Sequence, residues 1–175
     1  LVSLQMADGG WNLSGAYSDA DVTAMALQAL SAVRSYGYED NIQKGVGRLA
    51  SLQKDDAGYA SYGVNNSEST AQVLMALCAL NIDYRTDTRF IKNGHTVLDA
   101  LMGYRTSKGA FSHTKDGKPN ALATTQALGA LVCADNYEKH GTFIYRYGNI
   151  QSRPVQKETQ PDVKPSPEQL SLIHI

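Results

Sequence analysis

A self-similarity with a period of about fifty residues constrains this chain more than any single motif, since a fixed period decides an architecture before local propensities do. Three passages line up. "SLQMADGGW" is followed by "SDADVTAMALQAL", "SLQKDDAGY" by "NSESTAQVLMALCAL", and "MGYRTSKGAF" by "NALATTQALGAL". Gln5 and Gln53 stand 48 apart, and Leu30, Leu80 and Leu131, which close the three apolar runs, are spaced 50 and 51 apart.

Each unit reads as a helical hairpin. The runs 18–34, 67–81 and 120–134 are apolar on nearly every side, as a helix is when neighbours cover it all round, so they are expected to be inner helices. The intervening runs carry a stripe instead. Ile42, Val46, Leu49, Ala50 and Leu52 recur at helical spacing, as do Val97, Leu98, Leu101 and Met102, which marks outer helices. Ser18 with Asp21 matches a capping box, and Ser67 and Asn120 are good N-caps. Gly9, Gly10, Gly58 and Gly109 supply the turns from outer to inner helix. On this reading residues 1–11 are the end of an outer helix whose beginning lies upstream.

Composition narrows the function classes. The chain has 175 residues, is 42% hydrophobic and 19% charged, and carries a formal charge of −1, values of a globular domain. Its 16 Lys and Arg are scattered, which argues against a nucleic-acid partner, and no apolar run reaches the roughly 20 residues of a membrane span. Cys78 and Cys133 sit in apolar helical runs without ligand spacing and read as buried thiols. Beyond about Tyr147 four prolines (154, 161, 165 and 167) are interleaved with charge and Gln. The expected division is a repeat domain over 1–147 and a disordered, Pro-rich linker and tail over 148–175.

Gln5 to Trp11 fits Q-x-x-x-G-x-W, and with the helix that follows it resembles the prenyltransferase and squalene-cyclase repeat, the unit of the α/α toroid. The resemblance covers about residues 1–140. It implies an all-α partial ring of about three hairpins. It also implies a clamp in which Gln5, Gly9 and Trp11, then Gln53, Gly58 and Tyr59, tie one hairpin to the next, the Gln amide meeting unpaired backbone groups at a helix end. The second copy reads as carrying one extra residue between Gln53 and Gly58, and the third has no Gln before Gly109. "SDADVTAMALQAL", "NSESTAQVLMAL" and "LATTQALGAL" look most like repeats of secreted or surface-attached bacterial proteins, which implies an extracellular or cell-surface location.

Candidate chemistry follows from the same comparison. "DADVTA" is similar to the D-x-D-D-T-A of class II terpene cyclases, which places Asp21 at the proton donor and Asp19 at the first acid, with Val22 where the family has a third Asp. Protonating an alkene needs an acid tuned by an apolar surrounding and a neighbouring carboxylate. The competing reading is structural, because acids in a first helical turn favour the helix dipole and Asp21 closes the box with Ser18. The zinc of protein prenyltransferases finds no ligand set, since Ala76 and Leu131 stand two residues before Cys78 and Cys133, and His95, His113 and His140 fall in expected loops. No metal or cofactor is expected. Glu68, Tyr59, Tyr62 and His113 are the candidates for a carbohydrate-active α/α barrel.

The rim offers the least demanding function. "YASYGVNNSES" and "FSHTKDGKPN" precede successive inner helices, so Tyr59, Tyr62, Asn66, Glu68, Phe111 and His113 are expected to line one end, where helix N-termini attract anionic or polar groups. The sequence reading is a non-catalytic binding or scaffold domain. Its expected partners are a small apolar or corrinoid-like molecule, a surface glycan, and further repeats and domains of the same chain. A terpene cyclase using Asp21 and a corrinoid carrier are the alternatives.

Overall fold

The structure is a computed structural model that describes residues 1–141. The Pro-rich segment assigned to 148–175 lies outside the described residues. The described chain is mostly helical: α1 (Ala20–Ala32), α2 (Glu39–Leu52), α3 (Ser67–Ala79), α4 (Val97–Met102) and α5 (Ala121–His140), with a two-stranded hairpin of β1 (Tyr59–Ser61) and β2 (Val64–Asn66). Residues expected to end an outer helix form only a 3-10 turn over Val2–Leu4. No described helix is long and apolar enough to cross a membrane.

The helix α3 sits between α1 and α5, with α2 packed on α1 and α4 on α3. Leu27, Leu30, Ile42, Val46, Leu49, Leu74, Leu77 and Leu101 form the shared core, with Trp11, Tyr59 and Phe111 buried at the helix entrances. Only α3 is covered all round, every residue but Gln72 being buried. α1 and α5 bury a single face and leave Met25, Leu122, Leu128 and Val132 exposed, against the expectation of three fully buried inner helices. α5 runs six residues past its expected end at 134, so His140 closes a helix rather than lying in a loop.

The same entrance geometry recurs at α1, α3 and α5. The backbone N–H of Trp11 donates to Thr23 Oγ1 at 2.9 Å, that of Tyr59 to Thr70 Oγ1 at 3.1 Å, and that of Phe111 to Thr124 Oγ1 at 2.9 Å. Ahead of each aromatic a tight turn places a left-handed residue: Gly9 (φ 91°), Ala57 (φ 62°) and Gly109 (φ 85°). Ala57, not Gly58, therefore matches Gly9, and the extra residue expected in the second copy does not exist. Gln53 and Tyr59 are as far apart as Gln5 and Trp11.

Two start signals are displaced by one residue. Asp19 caps α1, its Oδ1 accepting from the N–H groups of Asp21 at 2.9 Å and Val22 at 3.3 Å, so the Ser18–Asp21 box does not form. Ser18 is otherwise engaged: its hydroxyl donates to Asp8 Oδ2 at 2.9 Å and accepts from Arg48 Nε at 2.7 Å. Asn66 rather than Ser67 caps α3, accepting from the Ser69 N–H at 2.7 Å, while Asn120 caps α5 as expected. Thr96 and Asp99 form a complete capping box on α4.

Candidate functional site

The N-terminal ends of α1, α3 and α5 meet at one open cleft of about 370 Å³, lined by Asp21, Ser61, Tyr62, Val64, Asn66, Glu68, His113, Leu122 and Gln126. Since the first turns of all three helices lie there, the helices run in the same sense. The hairpin forms one wall. Its turn has positive φ at both Tyr62 (48°) and Gly63 (79°), the geometry of a two-residue type I′ connection, and it thrusts the Tyr62 ring into solvent at 85% exposure. Ser61 Oγ donates to Asp19 Oδ2 at 2.6 Å, which ties that wall to the start of α1. On the other side Ser67 N–H donates to the His113 carbonyl at 3.0 Å, joining the α3 entrance to the segment before α5.

The titratable side chains of the cleft are arranged as a hydrogen-bonded pair and a single acid. His113 Nδ1 and Glu68 Oε2 lie 2.9 Å apart, and the same Glu68 oxygen accepts from Ser67 Oγ at 2.9 Å. Asp21 stands apart from them. Burial against α3 raises the pKa of its carboxyl; the charges of Asp19 and Glu68 push the same way, while the Ser69 hydroxyl and His113 oppose them. Its Oδ1 is buried without a hydrogen-bond partner. Relieved of the capping role that Asp19 holds, Asp21 is a partly desolvated acid facing a neighbouring helix.

A group whose folded-state pKa is raised contributes stability below its unfolded-state pKa and loses it as pH climbs through the folded value. Asp21→Asn is therefore expected to stabilise the fold at pH 7, with a gain that shrinks to nothing below about pH 4, where the unfolded carboxyl is itself protonated. Urea unfolding followed by circular dichroism across that range measures it. The capping loss of about 1 kcal/mol belongs instead to Asp19→Ala.

Of the expected rim residues, Tyr62, Asn66, Glu68 and His113 line the cleft. Tyr59 and Phe111 do not: they occupy the same entrance position as Trp11 and are buried in the core at 0% and 4% exposure. Burial pushes the Tyr59 hydroxyl far above its ordinary pKa and leaves it unpartnered, out of reach of a ligand in the cleft. Ser61, Val64, Leu122 and Gln126 complete the cleft and were not singled out in the sequence. Leu122 and Gln126 lie in an apolar helical run whose rotation no motif announces.

The clamp residues make these contacts. Gln5 Nε2 donates to the carbonyls of Gly9 at 2.7 Å and Asn41 at 2.9 Å, in the first turn of α2, and its Oε1 accepts from Asn41 Nδ2 at 2.6 Å. Gln53 Nε2 donates likewise to Ala57 at 3.0 Å and Phe90 at 2.9 Å. In the third entrance Thr106 Oγ1 supplies the turn bond to Ala110 at 3.0 Å. Gly58 follows the left-handed residue rather than being it. Burial raises the thiol of Cys78 to about 12 and that of Cys133 to about 11, values that keep both protonated and unreactive. No family model and no curated protein sequence matches the chain.

Proposed function

We propose that this chain is a non-catalytic binding domain, part of an α/α toroid in a larger extracytoplasmic protein, and that its cleft takes a neutral, hydroxyl-rich ligand such as a surface glycan. The observation that carries this reading is the mixed lining of the cleft: carboxylate and amide acceptors, the Ser61 hydroxyl and the Gln126 amide beside an exposed aromatic ring. Sugars are bound by that combination, hydrogen bonds to hydroxyls and a ring laid against an apolar face. Anionic ligands fit poorly. The first-turn N–H groups of α1 and α3 already bond Asp19 and Asn66, and Asp21 and Glu68 repel negative charge. The cleft is open rather than enclosed, which speaks against a corrinoid or other large apolar guest that must be buried on most sides.

Backbone strain at Tyr62 supports a role for its ring. A non-glycine residue with φ above zero costs about 1 kcal/mol, and such strain gathers where function retains it. Tyr62→Asn is expected to raise stability by about 0.5–1 kcal/mol, because Asn tolerates this conformation, and to weaken glycan binding at the same time. Urea denaturation reads the stability, and isothermal titration with neutral oligosaccharides of glucose and of N-acetylglucosamine reads the binding. A saturable heat with the wild type, reduced in Tyr62→Asn and Glu68→Gln, is the expected result. A flat wild-type titration across the set ends the glycan reading.

One observation favours a second reading, a class II terpene cyclase: the raised pKa of the partly buried Asp21 carboxyl suits a proton donor. Against it stand Asp19, whose carboxylate is spent on the cap and Ser61, and a cleft whose one aromatic is solvent-exposed. Incubation with squalene and shorter isoprenoids decides it: product that disappears in Asp21→Asn would establish the cyclase, and no product removes it.

A further inference from the structure

We propose that the bare face of α5 is an interface half and that its occupant is α1 of a second copy of this chain, packed head to tail. The argument rests on matched positions, counted from the threonines that hold the aromatic N–H groups. From Thr23 and Thr70, the outward residues Met25, Ala29 and Ala32 of α1 match Gln72, Ala76 and Ala79 of α3. From Thr124, the outward residues Leu122, Thr125, Leu128 and Val132 of α5 match Glu68, Ala71, Leu74 and Cys78 of α3.

In α3 both sets are covered. Ala76 and Ala79 are buried, and Gln72 receives the Gln28 amide from α1, with Nε2 of Gln28 2.9 Å from Oε1 of Gln72. Glu68, Ala71, Leu74 and Cys78 are all buried: Glu68 meets His113 in the segment that leads into α5, and Cys133 of α5 bears on the Cys78 thiol. So α1 leaves bare the face that α3 turns towards α1, and α5 leaves bare the face that α3 turns towards α5. The two ends of the layer carry opposite halves of an interface already formed twice within the chain.

Side-chain amides bridge both of the interfaces inside the chain. Gln28 donates to Gln72, and Gln72 Nε2 donates in turn to Gln126 Oε1 at 3.2 Å. By the same matching Gln126 of one chain would meet Met25 of the second copy, the residue that holds the place of Gln72 on α1. Around it Leu122, Leu128 and Val132 of one chain would cover Met25, Ala29 and Ala32 of the other. Such an unlike-to-unlike contact either closes a ring or extends a chain of copies.

Sedimentation velocity from ~1 to ~500 µM reads the association, a range that spans weak interfaces. The wild type is expected to associate as concentration rises. Met25 and Leu128 are 56% and 58% exposed, so Met25→Glu and Leu128→Glu should fold, as circular dichroism will confirm, and each places a charge in one half of the contact. Each variant alone should be monomeric, its association weakened at least ~10-fold. An equimolar mixture should recover one dimer and nothing larger, because it reunites one intact α5 face with one intact α1 face. A wild type monomeric throughout, a Met25→Glu variant that still dimerises through α5 against α5, or a mixture that stays monomeric would each overturn the proposal.

Discussion

Leu74→Ala is expected to lower the unfolding free energy by about 3 kcal/mol, measured by urea denaturation at dilute protein, whereas Leu128→Ala should cost well under 1 kcal/mol. The two leucines hold matched positions on α3 and α5. Leu74 is fully buried at the centre of the layer, so truncation removes its transfer energy and leaves a hole lined by neighbours on both sides. Leu128 is exposed, so water already bathes most of what truncation would remove. Equal costs at the two sites in monomeric protein would mean that α5 is not open on that face.

Two glycines of α2 should respond with opposite signs. A Cβ built on Gly45 would stand 2.9 Å from both Trp11 Cζ3 and Leu27 Cδ2, closer than carbon atoms approach without displacement. Gly45→Leu is expected to destabilise by about 3 kcal/mol, since four carbons must enter a space that the Trp11 ring and α1 already fill. Two residues on, a Cβ at Gly47 meets nothing within 4 Å, so Gly47→Ala should stabilise by about 1 kcal/mol through helix propensity alone. Thermal melts of the two variants read the contrast. A neutral Gly45→Leu would show that α2 does not lie against Trp11 as described.

The helices were legible because their signals are periodic: the stripe Ile42, Val46 and Leu49 places α2, and the apolar run 67–81 places α3, which ends two residues earlier at Ala79. The cleft was legible in part, since Glu68 and His113 were picked out for their chemistry in segments that the turns bring together. The start of α1 was not, because "SDAD" offers three oxygen-bearing side chains within one turn. Ser18 lost the cap to Asp19 through a tertiary demand, the Asp8 carboxylate and the Arg48 guanidinium, both of which bond its hydroxyl. Ser67 lost its cap in the same way, its hydroxyl being turned to Glu68.

The hairpin escaped notice because Tyr62 is no turn-former by preference. Tyr59 and Phe111 were expected outside because they neighbour polar residues. Local polarity says nothing of which aromatic a threonine eleven or thirteen residues on will draw inward. Lining residues such as Leu122 and Gln126 depend on the rotation of α5 about its axis, which the next packed element decides rather than any local motif.

Those threonine pegs bear on how the chain finds its shape. Each closes a segment of only 11 to 13 residues between aromatic and hydroxyl, so three nuclei of nearly equal and small closure entropy are available along the described chain. Folding that starts at any of them and spreads to its neighbour keeps contact order low, and the central helix, reached from either side, is the last to open when an end frays.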